Sequence, residues 1–169
     1  MTPSARTLAA LLLSASLGSV WGGAALAQTP AAPPAPGSTQ VQPATPAAVA
    51  AGLREAGYRV TVNAPAAGEA PSLSVVAGKY ELDMWFSGCQ AGSCARVTVS
   101  LGWELGADDP DLAFLNEWNS DAFTQAYVYE DAYYLDSTLT LRGGHTRAAL
   151  RAWLSDYLSD VAEFGARLP

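Results

Sequence analysis

The chain contains one histidine, His145, and this limits the chemistry that its side chains can perform. A metal site built from several histidines is excluded, and the sequence has no G-x-S-x-G, no phosphate-binding glycine loop and no H-E-x-x-H. A hydrolase that uses His145 with carboxylates such as Asp136 is an alternative, because catalytic triads assemble from distant positions. The preferred interpretation is that His145 belongs to a glycine-rich turn before a helix. We therefore assign no catalytic residue and no cofactor.

The two cysteines, Cys89 and Cys94, are predicted to form a disulfide. Disulfides are typical of exported chains, and two residues that face each other across a hairpin lie close enough for one. The closed loop is short, so the bond would contribute roughly 2 kcal/mol at most. A redox-active pair is the alternative, but C-x4-C is not the C-x-x-C arrangement that makes a thiolate reactive. The bond is expected to fasten a hairpin tip.

Acidic residues cluster at Asp108, Asp109 and Asp111, and carboxylate oxygens are suitable ligands for calcium. Pro110 interrupts the cluster, and the spacing is not that of an EF-hand loop. Helix capping explains the same residues, with Asp109 as the cap of a helix that begins at Pro110 and Asp111 near the positive end of its dipole. The sequence therefore predicts no metal site.

Two groups of residues are candidates for binding. Asn116, Trp118 and Asn119 combine two amides with an indole and could recognise a peptide or a sugar, although amides also cap helix ends and Trp118 lies on an apolar stripe. Trp85 and Tyr134 lie on the polar side of two predicted strands. If those strands are neighbours, the two rings form an apolar island that marks a partner surface. The alternative is that a loop, a helix or the proline-rich segment covers them.

Alternation of apolar and polar residues predicts the strands that position these side chains. The pattern is clearest at residues 80–86 and 96–105, which are expected to form antiparallel strands joined by the cysteine-containing turn. Other strands are expected at 58–63, 73–77, 122–129 and 132–141, and helices after Thr45, Asp109 and Thr146. The order α-β-β-β-β-α-β-β-α predicts an α+β fold, with a largely antiparallel sheet of about five to six strands and helices packed on one face.

The N-terminal region has the pattern of a signal peptide. Arg6 precedes an uncharged stretch rich in Leu and Ala that ends in Ala25-Leu26-Ala27, which predicts a signal peptide at 1–27. An uncleaved membrane anchor is the alternative, but the stretch contains many small residues. Residues 28–45 are rich in Pro and Ala, carry no charge and are expected to be a linker, with the folded domain at 46–169. The protein is expected to be periplasmic or secreted, with no transmembrane segment in the mature chain.

The charge of the chain is acidic, with 16 Asp and Glu against 9 Lys and Arg and a formal net charge of −7. Phosphate recognition needs a basic patch, so nucleic acid is not an expected partner. A basic partner is compatible with this charge, but the preferred explanation is that the charge keeps an exported domain soluble.

Four segments of the chain carry a resemblance to the YbjN family. They are LREAGYRV at 53–60, WFSGCQAGSCARVTVSLGW at 85–103, FLNEWN at 114–119, and AYVYEDAYYLDSTLTLRGGHT with the following LRAWL within 126–154. The resemblance implies a fold similar to type III secretion chaperones and a role in bacterial sensory transduction, without a shared enzymatic activity.

The sequence as a whole favours a non-catalytic, extracytoplasmic binding or regulatory module of YbjN type. A protein partner or client is expected at the sheet face around Trp85 and Tyr134, and a homodimer is compatible with the pattern. Two alternatives remain: an envelope hydrolase that uses His145, and a small-molecule sensor with a pocket between the last helix and the sheet.

Overall fold

The fold is described from a computed structural model, which covers residues 39–65, 69, 71–106 and 109–168. The predicted signal peptide at 1–27 and residues 28–38 of the predicted linker lie outside these described residues, as does Asp108. None of the helices in the described part is both long and apolar enough to span a membrane.

The described residues form an α+β fold of three helices and eight strands. The elements are β1 (Val41–Gln42), α1 (Pro46–Glu55), β2 (Arg59–Asn63), β3 (Ser72–Ala77), β4 (Tyr80–Ser87), β5 (Arg96–Glu104), α2 (Leu112–Asp121), β6 (Gln125–Tyr129), β7 (Ala132–Thr140), β8 (His145–Thr146) and α3 (Arg147–Arg167). Six strands make an antiparallel sheet in the order β2-β3-β4-β5-β7-β6. The predicted fold class and the antiparallel sheet are confirmed.

Side chains alternate between the two faces of the sheet, as the period of two predicts. On β4, Leu82, Met84 and Phe86 are fully buried, whereas Glu81 and Asp83 are exposed. Burial of a large apolar side chain contributes about 1.5–3 kcal/mol, so one face of each central strand drives the packing of the helices.

The long helix α3 is fixed on the buried face through two hydrogen bonds to β7. Trp153 Nε1 donates to the Ser137 hydroxyl at 2.9 Å, and the Tyr157 hydroxyl donates to the Leu135 carbonyl at 2.9 Å. These bonds give partners to polar atoms that would otherwise be buried at a cost. They also identify the face of β7 that carries Leu135 and Ser137 as the helix-covered face, so Tyr134 and Asp136 point to the opposite side.

Two of the three predicted helix caps are confirmed, and the third is wrong. The Thr45 hydroxyl accepts from Ala48 N–H at 3.2 Å, and the Thr146 hydroxyl accepts from Ala149 N–H at 3.0 Å. The middle helix is capped by Asp111 instead of Asp109, because the Asp111 carboxylate accepts from the Phe114 N–H at 2.9 Å.

The strand predicted to begin at Ala122 begins three positions later, at Gln125. The side chain of Thr124 explains the difference. Its hydroxyl accepts from Trp118 Nε1 at 3.1 Å and donates to Asp160 at 2.9 Å, so this residue links α2 to α3. Phe123, next to it, is exposed.

One strand of a short antiparallel pair lies within the range predicted as linker. Val41–Gln42 pairs antiparallel with His145–Thr146, and the Ala44 carbonyl accepts from the Cys94 N–H at 2.7 Å. Gly144 has a φ of +94°, and a Cβ atom there would collide with the Gln42 carbonyl. Residues 41–45 are therefore held against the domain, an arrangement called the N-terminal clasp below.

Candidate functional site

The face of the sheet opposite the helices, called the open face below, contains a groove. Its volume is about 610 Å³, and it crosses β4, β5, β7 and β6. The groove is lined by Glu81, Asp83, Trp85, Ser100, Leu101, Gly102, Glu104, Tyr127, Tyr129, Ala132 and Tyr134. Both aromatic residues that the sequence placed on the polar side of the strands, Trp85 and Tyr134, are among these lining residues.

Trp85 and Tyr134 do not lie on neighbouring strands. Strand β5 separates them, with Thr98 opposite Trp85 and Gly102 opposite Tyr134. Thr98 and Gly102 are four residues apart on β5, so Trp85 and Tyr134 line different parts of the same groove. A Cβ atom built on Gly102 would lie 2.9 Å from Cε1 of Tyr134, so the Tyr134 ring lies across the glycine.

Two further tyrosines extend this aromatic surface. The Tyr127 ring stacks on the Tyr134 ring at 5.6 Å with an interplanar angle of 17°, and the Tyr129 ring meets Tyr134 edge-on at 6.4 Å. Offset-stacked and edge-on arrangements are the favourable geometries for aromatic pairs. We call Tyr127, Tyr129 and Tyr134 the tyrosine cluster. Tyr129, at its outer end, is 60% exposed.

The charged lining residues of the groove are all acidic. Glu81 and Asp83 project from β4 and Glu104 from β5, and all three are exposed. The groove therefore presents aromatic rings bordered by carboxylates.

Asp136 lies beside the tyrosine cluster, and its carboxyl is partly buried. The Tyr127 hydroxyl donates to its Oδ2 at 3.1 Å, and Ser100 lies opposite it in the sheet. Burial raises the pKa of the Asp136 carboxyl, while hydrogen bonds from Ser100 and Tyr127 oppose this shift. Burial, with the neighbouring Asp136 charge, raises the pKa of Tyr127 to about 12. The hydrogen bond to Asp136 orients the Tyr127 ring where it stacks on Tyr134.

The second predicted group of binding residues lies on α2 and outside the groove. Trp118 is buried, with its ring edge-on to Phe164 at 5.0 Å. Asn119 donates from Nδ2 to the Ala126 carbonyl at 2.9 Å and accepts at Oδ1 from the Ala126 N–H at 2.7 Å. Its amide thus pairs with the backbone of the edge strand β6 as a further strand would. Asn116 is exposed on the same helix.

His145 pairs with Gln42 of the N-terminal clasp and is only 5% exposed. Within the described residues, neither of its ring nitrogens has a hydrogen-bond partner. Burial lowers the pKa of His145. The carboxylate that a hydrolase would pair with it, Asp136, accepts from Tyr127 on the open face instead. The described residues likewise contain no group of three or more His, Cys, Asp or Glu side chains able to hold a metal ion.

The cysteines form the predicted disulfide at the tip of the β4 to β5 hairpin. Between them, Gln90 and Ser93 exchange two backbone hydrogen bonds of 2.7 and 3.0 Å around a tight turn. Cys94 is buried, and its backbone N–H is the donor to the N-terminal clasp. The disulfide therefore fastens the loop on which residues 41–45 rest.

A smaller cavity of about 230 Å³ lies between α2 and α3. Glu117, Asp121, Asp160 and Glu163 line it together with Arg167, which is paired with Glu117 at 2.7 Å and Glu163 at 3.9 Å. The Arg167 guanidinium also lies over the Phe114 ring at 5.1 Å. This arrangement ties the end of α3 to α2 and explains much of the acidic lining.

Tyr127, Tyr129 and Gly102 line the groove but were not predicted from the sequence. The sequence did contain a signal for the two tyrosines. Alternation places residues 127 and 129 on the same face of a strand, and residue 129 leads directly into the turn to β7. What the sequence did not show was that β5 pairs with β7, and this pairing places Gly102 under Tyr134.

A protein-family model named YbjN, with the description "Putative bacterial sensory transduction regulator", matches residues 45–169. This range includes the six-stranded sheet and the three helices, and it confirms the resemblance carried by the four sequence segments. No curated protein and no solved structure matches the chain. The likeness to type III secretion chaperones that the resemblance implies stays a prediction.

Proposed function

This chain belongs to the YbjN family, and we propose that it is a non-catalytic regulatory module that binds a protein partner through the groove on the open face. The family description supports a regulatory role. The proposal about the partner rests on the groove itself.

The observation that carries this proposal is the exposure of aromatic side chains on a sheet face that the helices leave uncovered. Trp85 is 36% exposed and Tyr129 is 60% exposed. Each belongs to a strand whose other face is covered by the helices. Clustered aromatic residues on a surface are the side chains that contribute most at protein interfaces. The aromatic residues of the groove lie on three strands, β4, β6 and β7. Backbone hydrogen bonds hold each strand in register, so a partner meets a rigid surface.

We further propose that the protein works outside the cytoplasm. The Cys89–Cys94 disulfide supports this location, because disulfides persist in oxidising compartments and are rare in the cytosol. The predicted signal peptide at 1–27 supports the same location from the sequence.

The test is crosslinking of the tagged protein in its native envelope, with the captured proteins identified by mass spectrometry. Trp85→Ala and Tyr134→Ala are compared with Phe123→Ala, a matched control that removes an aromatic side chain 62% exposed but outside the groove. Proteins captured by the wild type and by Phe123→Ala should be lost from both groove variants. Thermal unfolding of each variant would show that the domain remains folded.

Equal capture by wild type and both groove variants would contradict the proposal. Capture of a second copy of the same chain, with the same dependence on Trp85, would show that the partner is another copy of this protein and that the groove forms a homodimer.

A further inference from the structure

We propose that the groove recognises an arginine-containing basic segment of its protein partner, with a guanidinium group held between the tyrosine cluster and the carboxylates of β4 and β5. This inference rests on the proposed function and names the chemistry of the partner.

The charge of the groove favours a cationic ligand. Glu81, Asp83 and Glu104 line the groove, and no Lys or Arg is among its lining residues. The basic side chains on the surrounding strands and turns, Arg59, Lys79 and Arg96, are outside the groove lining, with Arg59 separated from Glu81 by Val76 of β3. The Lys79 ammonium lies over the Tyr80 ring at 5.0 Å, and Arg96 lies opposite Ser87, two residues beyond Trp85. An approaching anion is therefore repelled and a cation attracted.

The aromatic surface of the groove also favours a cation. A cation over the face of a Tyr or Trp ring is attracted by the ring quadrupole, and Arg makes this contact more often than Lys. The chain uses the same contact internally, since the Arg167 guanidinium lies over Phe114 at 5.1 Å and over Trp118 at 5.8 Å while it pairs with Glu117. The described residues that line the groove include aromatic rings and carboxylates but no arginine.

The size of the groove and the spacing of its carboxylates favour a peptide over a bare ion. The three carboxylates are spread over two strands, and no described group of His, Cys, Asp or Glu residues is arranged to hold a metal ion. A groove of about 610 Å³ exceeds the space of a single hydrated cation and suits a few residues of extended chain. Arginine fits better than lysine because its planar group stacks on rings and donates to two carboxylates at once.

The direct test uses the protein purified from its native envelope and two peptides of equal length. One is acetyl-Gly-Arg-Gly-Arg-Gly-amide, and the other has citrulline in place of both arginines, which keeps the shape and removes the charge. The arginine peptide should bind more tightly, measured by calorimetry or tryptophan fluorescence, and its affinity should fall when salt is raised from low to high concentration. Equal affinity for the two peptides would overturn the inference.

The second test uses the captured partner itself. The double variant Glu81→Gln, Glu104→Gln should weaken partner binding by about 3- to 10-fold, the loss expected for two exposed charge contacts. The matched control is Asp109→Asn, Asp156→Asn, which removes two exposed charges outside the groove and should bind as the wild type.

These outcomes separate the two proposals. Capture that is lost with Trp85→Ala but unchanged in the double glutamine variant would leave the groove as the binding surface and overturn recognition of a cation. Capture unchanged in both would overturn the two proposals together.

Discussion

The ring of Tyr134 lies across Gly102 on the neighbouring strand, at a point where a Cβ atom would come within 2.9 Å of its Cε1. Gly102 faces Tyr134 directly in the β5 to β7 register. A glycine within a strand weakens it, so a close approach is the usual physical reason for one. Here the approach places the Tyr134 ring over β5, where it lines the groove.

Replacing Gly102 with Ala should displace the Tyr134 ring and weaken partner binding several-fold. The free energy of unfolding should change by less than about 1 kcal/mol, because alanine favours the strand while the ring must move. Gly106→Ala is the control, since a Cβ atom there meets nothing within 4 Å. Chemical denaturation and crosslinking measure the two effects, and unaltered capture by Gly102→Ala would argue against a positioned Tyr134 ring.

The sequence predicted features that depend on neighbours along the chain. Period-two alternation located β4 and β5, and the same parity placed Trp85 and Tyr134 on the open face. The caps at Thr45 and Thr146 were predicted correctly because a hydroxyl and an N–H three residues later decide them. These are local relations, and a sequence shows them directly.

Features that depend on distant residues could not be read from the pattern. The cap of α2 is Asp111, whose own N–H donates to the Tyr133 hydroxyl at 2.8 Å on β7. The strand at Val41–Gln42 exists because it pairs with His145–Thr146, about one hundred positions away. The groove likewise depends on β5 lying between β4 and β7, a choice of partners that alternation within each strand leaves open.

Asn119→Ala should reduce stability by about 1 to 2 kcal/mol. The substitution removes two hydrogen bonds to Ala126 and exposes the edge of β6, and each bond contributes about 1 kcal/mol. Asn116→Ala, on the exposed side of the same helix, is the control and should lie within about 0.5 kcal/mol of the wild type. Urea unfolding measures both. A larger loss for Asn116→Ala than for Asn119→Ala would show that the amide pairing with β6 has been misassigned.

Removing the disulfide should cost roughly 2 kcal/mol and leave the fold intact. The bond closes a loop with a sequence separation of 5, for which the loop-entropy relation gives only a small stabilisation. Cys89→Ser with Cys94→Ala suits the environments, because Cys89 is exposed and Cys94 is buried. Guanidinium unfolding of the wild type with and without a reductant provides the matched comparison. Complete unfolding on reduction would mean that the hairpin tip contributes far more than loop closure.

The buried His145 should make the domain less stable as the pH falls below the ordinary pKa of histidine, about 6.5. Burial lowers the pKa of His145 in the folded protein, so the unfolded chain takes up a proton first. The free energy of unfolding therefore decreases as the pH falls from about 6.5 toward the lowered folded pKa, by no more than about 1.4 kcal/mol per pH unit for one group.

Other titratable groups also contribute to the pH dependence of stability. Arg142 and Arg147 flank His145 along the chain, and Arg147 pairs with Glu55 of α1 at 3.0 Å, so this carboxylate has a cationic partner already. Asp136, whose pKa is raised, acts in the opposite direction, since its protonation favours the folded state at acidic pH. His145→Leu replaces the imidazole with an apolar side chain of similar size that cannot take up a proton, and it leaves Asp136 unchanged. Urea unfolding between pH 5 and 8 should therefore show that the free energy of unfolding of the variant increases relative to that of the wild type as the pH falls. A difference in free energy of unfolding that stays constant across this range would show that His145 has the same proton affinity in the folded and unfolded states.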